Sequence, residues 1–244
     1  MRRLLWAVPI LMFAPAAHAD EAADLSARVL KACAADPADL KKLRTYTSKA
    51  KGTAVYGRDV LPATYDIRAT WPGQFSIHFE FDDKGTKKTI TKAVSEDRGW
   101  QRVGGFPATE LGIEDLNDFR TDVYGVWVYR LVTLAEAGTT LELAPKAKVN
   151  GEPVVGLVVA RRPWPLMTLY FDEKTALLRR AVVKSRDGAV VTTKQLTFDA
   201  HKSIGGVMLP TKQISMVEGR EMFNWTEIEY TFPYKIDPKV FEKP

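Results

Sequence analysis

From Leu166 to Gly219 the chain alternates apolar and polar residues with only short turns between the runs. That pattern restricts it to an antiparallel meander with one dry face. Met167, Leu169 and Phe171 share one side of the first run, with Leu166, Thr168 and Tyr170 on the other, and Asp172-Glu173-Lys174-Thr175 makes a turn. Leu177, Ala181 and Val183 then point inward while Arg180, Lys184 and Arg186 point out, and Arg186-Asp187-Gly188 supplies a hairpin turn. Val190, Leu196 and Phe198 follow, then the turn Ser203-Ile204-Gly205-Gly206, then Ile214 and Met216 up to Glu218-Gly219-Arg220. Nothing in this stretch has the character of a catalyst, so function has to be sought in what the dry face holds.

The same period occurs upstream. Tyr65, Ile67, Ala69 and Trp71 alternate with polar neighbours, Pro72-Gly73 turns, and Phe75, Ile77, Phe79 and Phe81 occupy one face of the next strand. A strand over 87–94 and a turn at Asp97-Arg98-Gly99-Trp100 follow. After Pro107 the period changes: Leu116, Phe119, Val123, Trp127, Leu131 and Leu134 predict helix over 109–136, weakened at Gly125, Val126 and Val128 so that it can divide in two. Asn150-Gly151 is a hairpin signal, and Val154 to Ala160, apolar on both faces, predicts a central strand. At the front, Ala22, Leu25, Val29 and Cys33 predict helix over 21–34, and Pro37 opens a second short helix through Leu43. With about eleven strands, the expected fold is α+β and mainly β. A single large antiparallel sheet curves into an incomplete barrel wrapped over helices, in one domain over 20–244.

Residues 1–19 read as a secretory signal peptide: Arg2 and Arg3, the apolar run Leu4 to Ala14, then Ala17-His18-Ala19 before Asp20. Its removal leaves 225 residues, since 244 − 19 = 225, and lowers the formal charge from +5 to +3. A periplasmic, soluble protein is expected, with a balance too mild to imply nucleic acid. Cys33 is the sole cysteine, so no internal disulfide is possible, and its apolar helical setting reads as a small buried hydrophobe. After export only His78, on a polar strand face, and His201, in a turn, remain. That supply is poor for a metal site or a nucleophile–base pair, and no cofactor motif is present. The carboxylate pairs Glu80/Asp82 and Glu227/Glu229 face away from the apolar residues of their strands, and Asn224-Trp225-Thr226 lies within a strand. Arg161, Arg162, Arg179, Arg180, Lys184 and Arg186 form a candidate docking face for an acidic envelope protein or an anionic membrane surface. No aromatic residues interleave with it as single-stranded nucleic acid would require.

Several short motifs carry a resemblance. Trp71-Pro72-Gly73-Gln74-Phe75 resembles the P-x-x-F turn of the periplasmic lipoprotein carrier family (LolA-like) and of related lipid-carrier lipoproteins. Asp97-Arg98-Gly99-Trp100 resembles that family's Asp-Gly turn followed by an aromatic, and Asp237-Pro238-Lys239-Val240-Phe241 its D-x-x-x-F close. The resemblance implies an incomplete barrel with a helical lid over an apolar cavity that takes acyl chains. The family carries an arginine before the P-x-x-F proline, implicated in closing the lid; here Trp71 stands there, with Arg68 on the opposite strand face. The expected function is therefore a non-enzymatic carrier of a lipid or lipoprotein acyl chain. Its expected cavity lining is Tyr65, Ile67, Phe75, Ile77, Phe79, Leu169, Phe171, Leu196 and Phe198. The alternative is an envelope interaction module with a filled core that works through its basic outer face.

Overall fold

The computed structural model describes residues 16–187 and 190–243. Helix α1 (Ala16–Cys33) is followed by the single turn α2 (Pro37–Leu40), where the Asp36 carboxylate accepts from the Ala38 N–H at 2.8 Å. Six strands come next: β1 (Thr45–Tyr56), β2 (Asp59–Thr70), β3 (Gln74–Asp83), β4 (Thr86–Ser95), β5 (Arg98–Val103) and β6 (Thr109–Glu110). Helix α3 (Ile113–Tyr129) leads to β7 (Thr140–Val149), β8 (Glu152–Ala160), β9 (Met167–Asp172), β10 (Leu178–Asp187), β11 (Val190–Ile204), β12 (Val207–Val217) and β13 (Arg220–Thr231). The thirteen strands form one antiparallel sheet in the order β6-β5-β4-β3-β2-β1-β13-β12-β11-β10-β9-β8-β7. Two meanders are thus joined through β1 and β13. Because β6 and β7 are the two edges, the segment between them has to cross the whole sheet, and α3 makes that crossing over the apolar face. There Phe119 meets Phe75 of β3 and Trp127 meets Tyr46 of β1. Helix α1 packs beside it against β7, β8 and β12.

The edges are blunted. β6 has two residues, and β7 carries Pro145 and Lys146 in an irregularity between Ala144 and Ala147 that breaks its outer row of hydrogen-bonding groups. On the convex face a turn of 3-10 helix (Pro238–Phe241) packs on β3 and β4 and fully buries Phe241.

Several expectations change in detail. The strand count is thirteen among the described residues, because β1 shows no apolar alternation and β6 is too short to read. α3 runs unbroken through Gly125, where a Cβ would lie in ordinary contact with the Met167 side chain at 3.7 Å, so the position is compatible with continuous helix. The helix ends at Tyr129, before Leu131 turns left-handed at φ 64°. β8 lies next to the edge strand rather than centrally; its apolar character comes from Val154, Leu157 and Val159, all buried. In β10 a register shift between Leu178 and Arg180 inserts one residue, so Leu178, opposite Phe171, faces inward where Leu177 was expected. Gly99 sits in β5 rather than in the turn before it, and His201 lies within β11 rather than in a turn. Asn150 and Gly151 take φ 52° and 86° and close the β7–β8 hairpin as their sequence predicts. The signal segment, through residue 15, and part of the Arg186-Asp187-Gly188 turn lie outside the described residues.

The β9–β10 turn rests on one carboxylate. Asp172 Oδ1 accepts from the N–H groups of Lys174 (3.0 Å) and Thr175 (2.7 Å) and from Thr175 Oγ1 (3.0 Å). These bonds, led by that from the Thr175 N–H, hold its pKa below the usual carboxylate value. A depressed folded-state pKa contributes stability above the unfolded value of about 3.9, lost as pH falls through the folded one. Asp172→Ala is therefore expected to cost about 1–2 kcal/mol at pH 7 and much less at pH 2, read from urea midpoints at both pH values. An equal cost at both would show that the charged form contributes nothing.

Candidate functional site

The apolar face of the sheet is built by contrast in side-chain size. Along β1, past Tyr46, the inward residues are Ser48, Ala50, Gly52 and Ala54. They stand opposite Tyr230, Ile228, Trp225 and Phe223 of β13 and, on the other side, Tyr65 of β2 opposite Ala50. The missing volume on β1 lets the flanking aromatic rings lean together over it. Tyr65 meets Trp225 edge-on at 4.9 Å, and Phe79 stacks on Phe223 at 5.4 Å, on Trp225 at 6.3 Å and on Phe81 at 6.1 Å. Gly52 is where the closest approach occurs: a Cβ there would lie 2.0 Å from the Asn224 carbonyl oxygen.

The structure sorts the nine expected lining residues into two groups. Tyr65, Ile67, Phe75, Ile77 and Phe79 face one another across the β2–β3 ladder. Leu169, Phe171, Leu196 and Phe198 stand on β9 and β11, on the far side of the β1–β13 junction. Tyr65, Ile67, Phe75, Leu169, Phe171 and Phe198 are buried, whereas Ile77, Phe79 and Leu196 keep partial exposure. With Phe223 and Ile90, also half-buried, Ile77 and Phe79 make a partly open apolar floor. Two lysines of β4 share it. Lys88, opposite Phe81, lies 4.9 Å from the Tyr56 ring, and Lys92, opposite Ile77, lies 5.7 Å from the Phe119 ring.

Where the resemblance implies an arginine, Trp71 packs edge-on against Trp127 of α3 at 5.4 Å, under the Arg161 guanidinium at 6.0 Å. Arg68 is on the other face, bonded to Asp66 at 3.3 Å. The polar tie between α3 and the sheet comes instead from the helix end. Arg130 Nη2 donates to Tyr230 Oη at 2.9 Å, and Tyr230 Oη donates to the Pro210 carbonyl at 2.9 Å. Arg130 is only 5% exposed, with its guanidinium 4.7 Å from the Tyr230 ring, 5.4 Å from that of Tyr129 and 5.7 Å from that of Tyr46. Sequence reasoning missed this cluster, since an arginine after a helix reads as surface and the tyrosines come from distant strands.

The remaining candidates disperse. Arg161 turns toward Trp71, Arg179 pairs with Asp199 at 3.1 Å, and Arg162 and Lys184 are exposed, so the basic residues do not share one uninterrupted face. The side chain of Arg186 is outside the described residues, and Arg180 on β10 is half-buried. The carboxylates meet lysines: Glu80 with Lys87 at 2.8 Å and Glu227 with Lys51 at 3.9 Å. His78 Nδ1 bonds Thr91 Oγ1 at 2.8 Å. Among the described residues no group of three His, Cys, Asp or Glu side chains could hold a metal, and no helix is long and apolar enough to cross a membrane. Cys33 is buried, and burial pushes its thiol up to about 11. It is expected to resist a disulfide reagent at pH 8 in the native protein and to react fully in urea. Fast native labelling would contradict its placement against β12.

No protein-family model and no curated protein matches this sequence. Solved structures do. A LolA superfamily protein from Nitrosomonas europaea aligns with TM-score 0.53 at 13% identity, over 91% of this chain and 97% of its own. A domain assigned to outer membrane lipoprotein sorting from Vibrio parahaemolyticus aligns with TM-score 0.55 at 9% identity, over 92% and 97%. A DUF1329 family protein from Desulfovibrio piger aligns with TM-score 0.53 at 14% identity, again over 92% and 97%. The curved open sheet, the crossing helix and the apolar face between them therefore give this chain the LolA-like fold.

Proposed function

We propose that the chain is an exported, non-enzymatic carrier that holds a lipid or the acyl chain of a lipoprotein against the inner face of its sheet, in the periplasm. The observation behind this reading is the stacked row Phe79–Phe223–Trp225, left partly open at Phe79 and Phe223 on a face that α3 otherwise covers. A contiguous half-exposed aromatic and aliphatic surface favours an apolar ligand. Ten methylenes laid on it would supply about 8 kcal/mol before the costs of association. Ile77 and Phe79 are the first contacts in this reading. Tyr65, Ile67, Phe75, Leu169, Phe171, Leu196 and Phe198 become lining only where α3 shifts. The exposed Arg162 and Lys184 are left for an acidic envelope partner or an anionic membrane surface.

The test is native mass spectrometry of protein purified from a periplasm, with lipid extraction and uptake of added phospholipid. Phe79→Glu is expected to lower bound lipid at least tenfold, because a charge would have to be desolvated beneath the chain. Thr64→Glu, exposed on β2's other face, is the control and is expected to change nothing. A clean apo mass with no uptake by the wild type would discard the carrier and favour the interaction module.

A further inference from the structure

Helix α1 carries apolar residues on two sides. Ala22, Leu25, Val29 and Cys33 belong to the core, while Ala27, Leu30 and Ala34 lie three and four residues apart on an adjoining stripe. That stripe walls a cavity of about 620 Å³, bounded elsewhere by Leu40 of α2, Leu43 of the 3-10 turn that follows (Lys41–Arg44), and Leu131 and Val132 beyond α3. No strand residue lines it, so it is separate from the Phe79 floor. Leu43 and Leu131 are buried, Leu30, Leu40 and Val132 are half-buried, and Ala27 is exposed, so apolar surface there is open to solvent. The volume is that of a small-molecule site.

Four charged side chains, Lys31, Lys41, Arg44 and Glu136, complete the lining, and every other side chain in it is apolar. Arg44 donates to the Glu136 carboxylate, so that pair is neutral. Lys31 and Lys41 are exposed, and among the described residues no acid lies within ion-pair distance of either. With no neutral donor or acceptor among the lining side chains, the walls suit an alkyl chain and the two lysines suit an anionic end. A stable protein interface draws on about 20–30 residues a side, whereas fourteen line this cavity, which favours a small amphiphile over a protein partner.

We propose that this cavity binds a single-chain fatty carboxylate, with its alkyl chain against Leu30, Leu40, Leu43 and Val132 and its carboxylate held by Lys31 and Lys41. Burial of the methylenes supplies most of the affinity. The exposed lysines add a preference for the charged end that salt screens. The site goes beyond the carrier reading and does not rest on it, because its walls are helix and turn rather than sheet.

Calorimetric titrations of the whole protein with sodium decanoate and with decanol test it, on the wild type, on Ala135→Trp and on the double variant Lys31→Glu, Lys41→Glu. Ala135 also lines the cavity and is exposed, as both lysines are, so these variants are expected to fold, which circular dichroism checks. Decanoate is expected to bind about fivefold tighter than decanol at low salt, and the preference to shrink toward parity at high salt. Ala135→Trp, which fills the cavity, is expected to weaken both ligands at least tenfold. The double lysine variant is expected to leave decanol binding in place and to remove the preference for decanoate. Equal binding of the two ligands at low salt, or no binding of either to the wild type, overturns the proposal. Binding kept in Ala135→Trp but lost in Phe79→Glu would put the chain on the sheet floor, overturning this site and leaving the carrier standing. Self-association in sedimentation that Ala135→Trp abolishes, without decanoate binding, would make the cavity a contact between two copies and likewise overturn it.

Discussion

Gly52→Ala is expected to lower stability by about 3 kcal/mol, the upper end for overpacking a closed interior, and to lower Tm by roughly 6–12 °C for a chain of this size. The cause is backbone against backbone. The added Cβ would lie 2.0 Å from the Asn224 carbonyl oxygen, 2.9 Å from its carbon and 2.9 Å from the Trp225 Cα, none of which can rotate away. The position also follows the register shift between Lys51 and Gly52, where β13 carries an extra residue. Relief would require the β1–β13 ladder to part, along with the Trp225 ring packed above it. Thermal and urea unfolding measure the loss. A variant within 1 °C of wild type would show that the strands lie farther apart than described.

Trp127→Ala is expected to cost about 3–5 kcal/mol, as for other buried large-to-alanine changes. Its indole is 1% exposed and meets Tyr46 at 5.8 Å and Trp71 at 5.4 Å, both edge-on, so it joins α3 to β1 and to the β2–β3 turn at once. The indole N–H has no hydrogen-bond partner. Trp127→Phe therefore removes no bond and is expected to cost no more than about 2 kcal/mol. Urea unfolding separates the two, and near-ultraviolet circular dichroism follows the loss of fixed ring packing. Equal costs would point to an interaction specific to the indole. Because Trp127 holds the crossing helix, Trp127→Ala is also expected to expose the inner face to a hydrophobic dye at urea concentrations where Trp127→Phe stays closed.

The strands with large inward residues were legible because their chemistry repeats at period two: Phe75, Ile77, Phe79 and Phe81 face one way, as do Met167, Leu169 and Phe171. β1 was not, since past Tyr46 its inward residues are Ser48, Ala50, Gly52 and Ala54, which leave space rather than fill it. Alternation also says nothing about cover: Phe75 and Phe79 follow the same pattern, yet Phe75 is sealed by Phe119 of α3 while Phe79 stays partly open. The Arg130 cluster was beyond local reading for a different reason. Its tyrosines, Tyr46, Tyr129 and Tyr230, belong to β1, α3 and β13 and come together only through the sheet's long-range junction.

That junction has a kinetic consequence. Every strand pairing but one joins neighbours in sequence; β1 and β13 alone must find each other across the chain, with Thr47 and Thr231 meeting over a separation of 184 residues. The hairpins can form locally and early, whereas closing this pair costs the most loop entropy and rewards it last. The two meanders are then separate folding units until the seam forms. Closing the seam is then the slow step, and an obstruction at Gly52, which lies within it, is expected to lower the refolding rate as well as raise the unfolding rate.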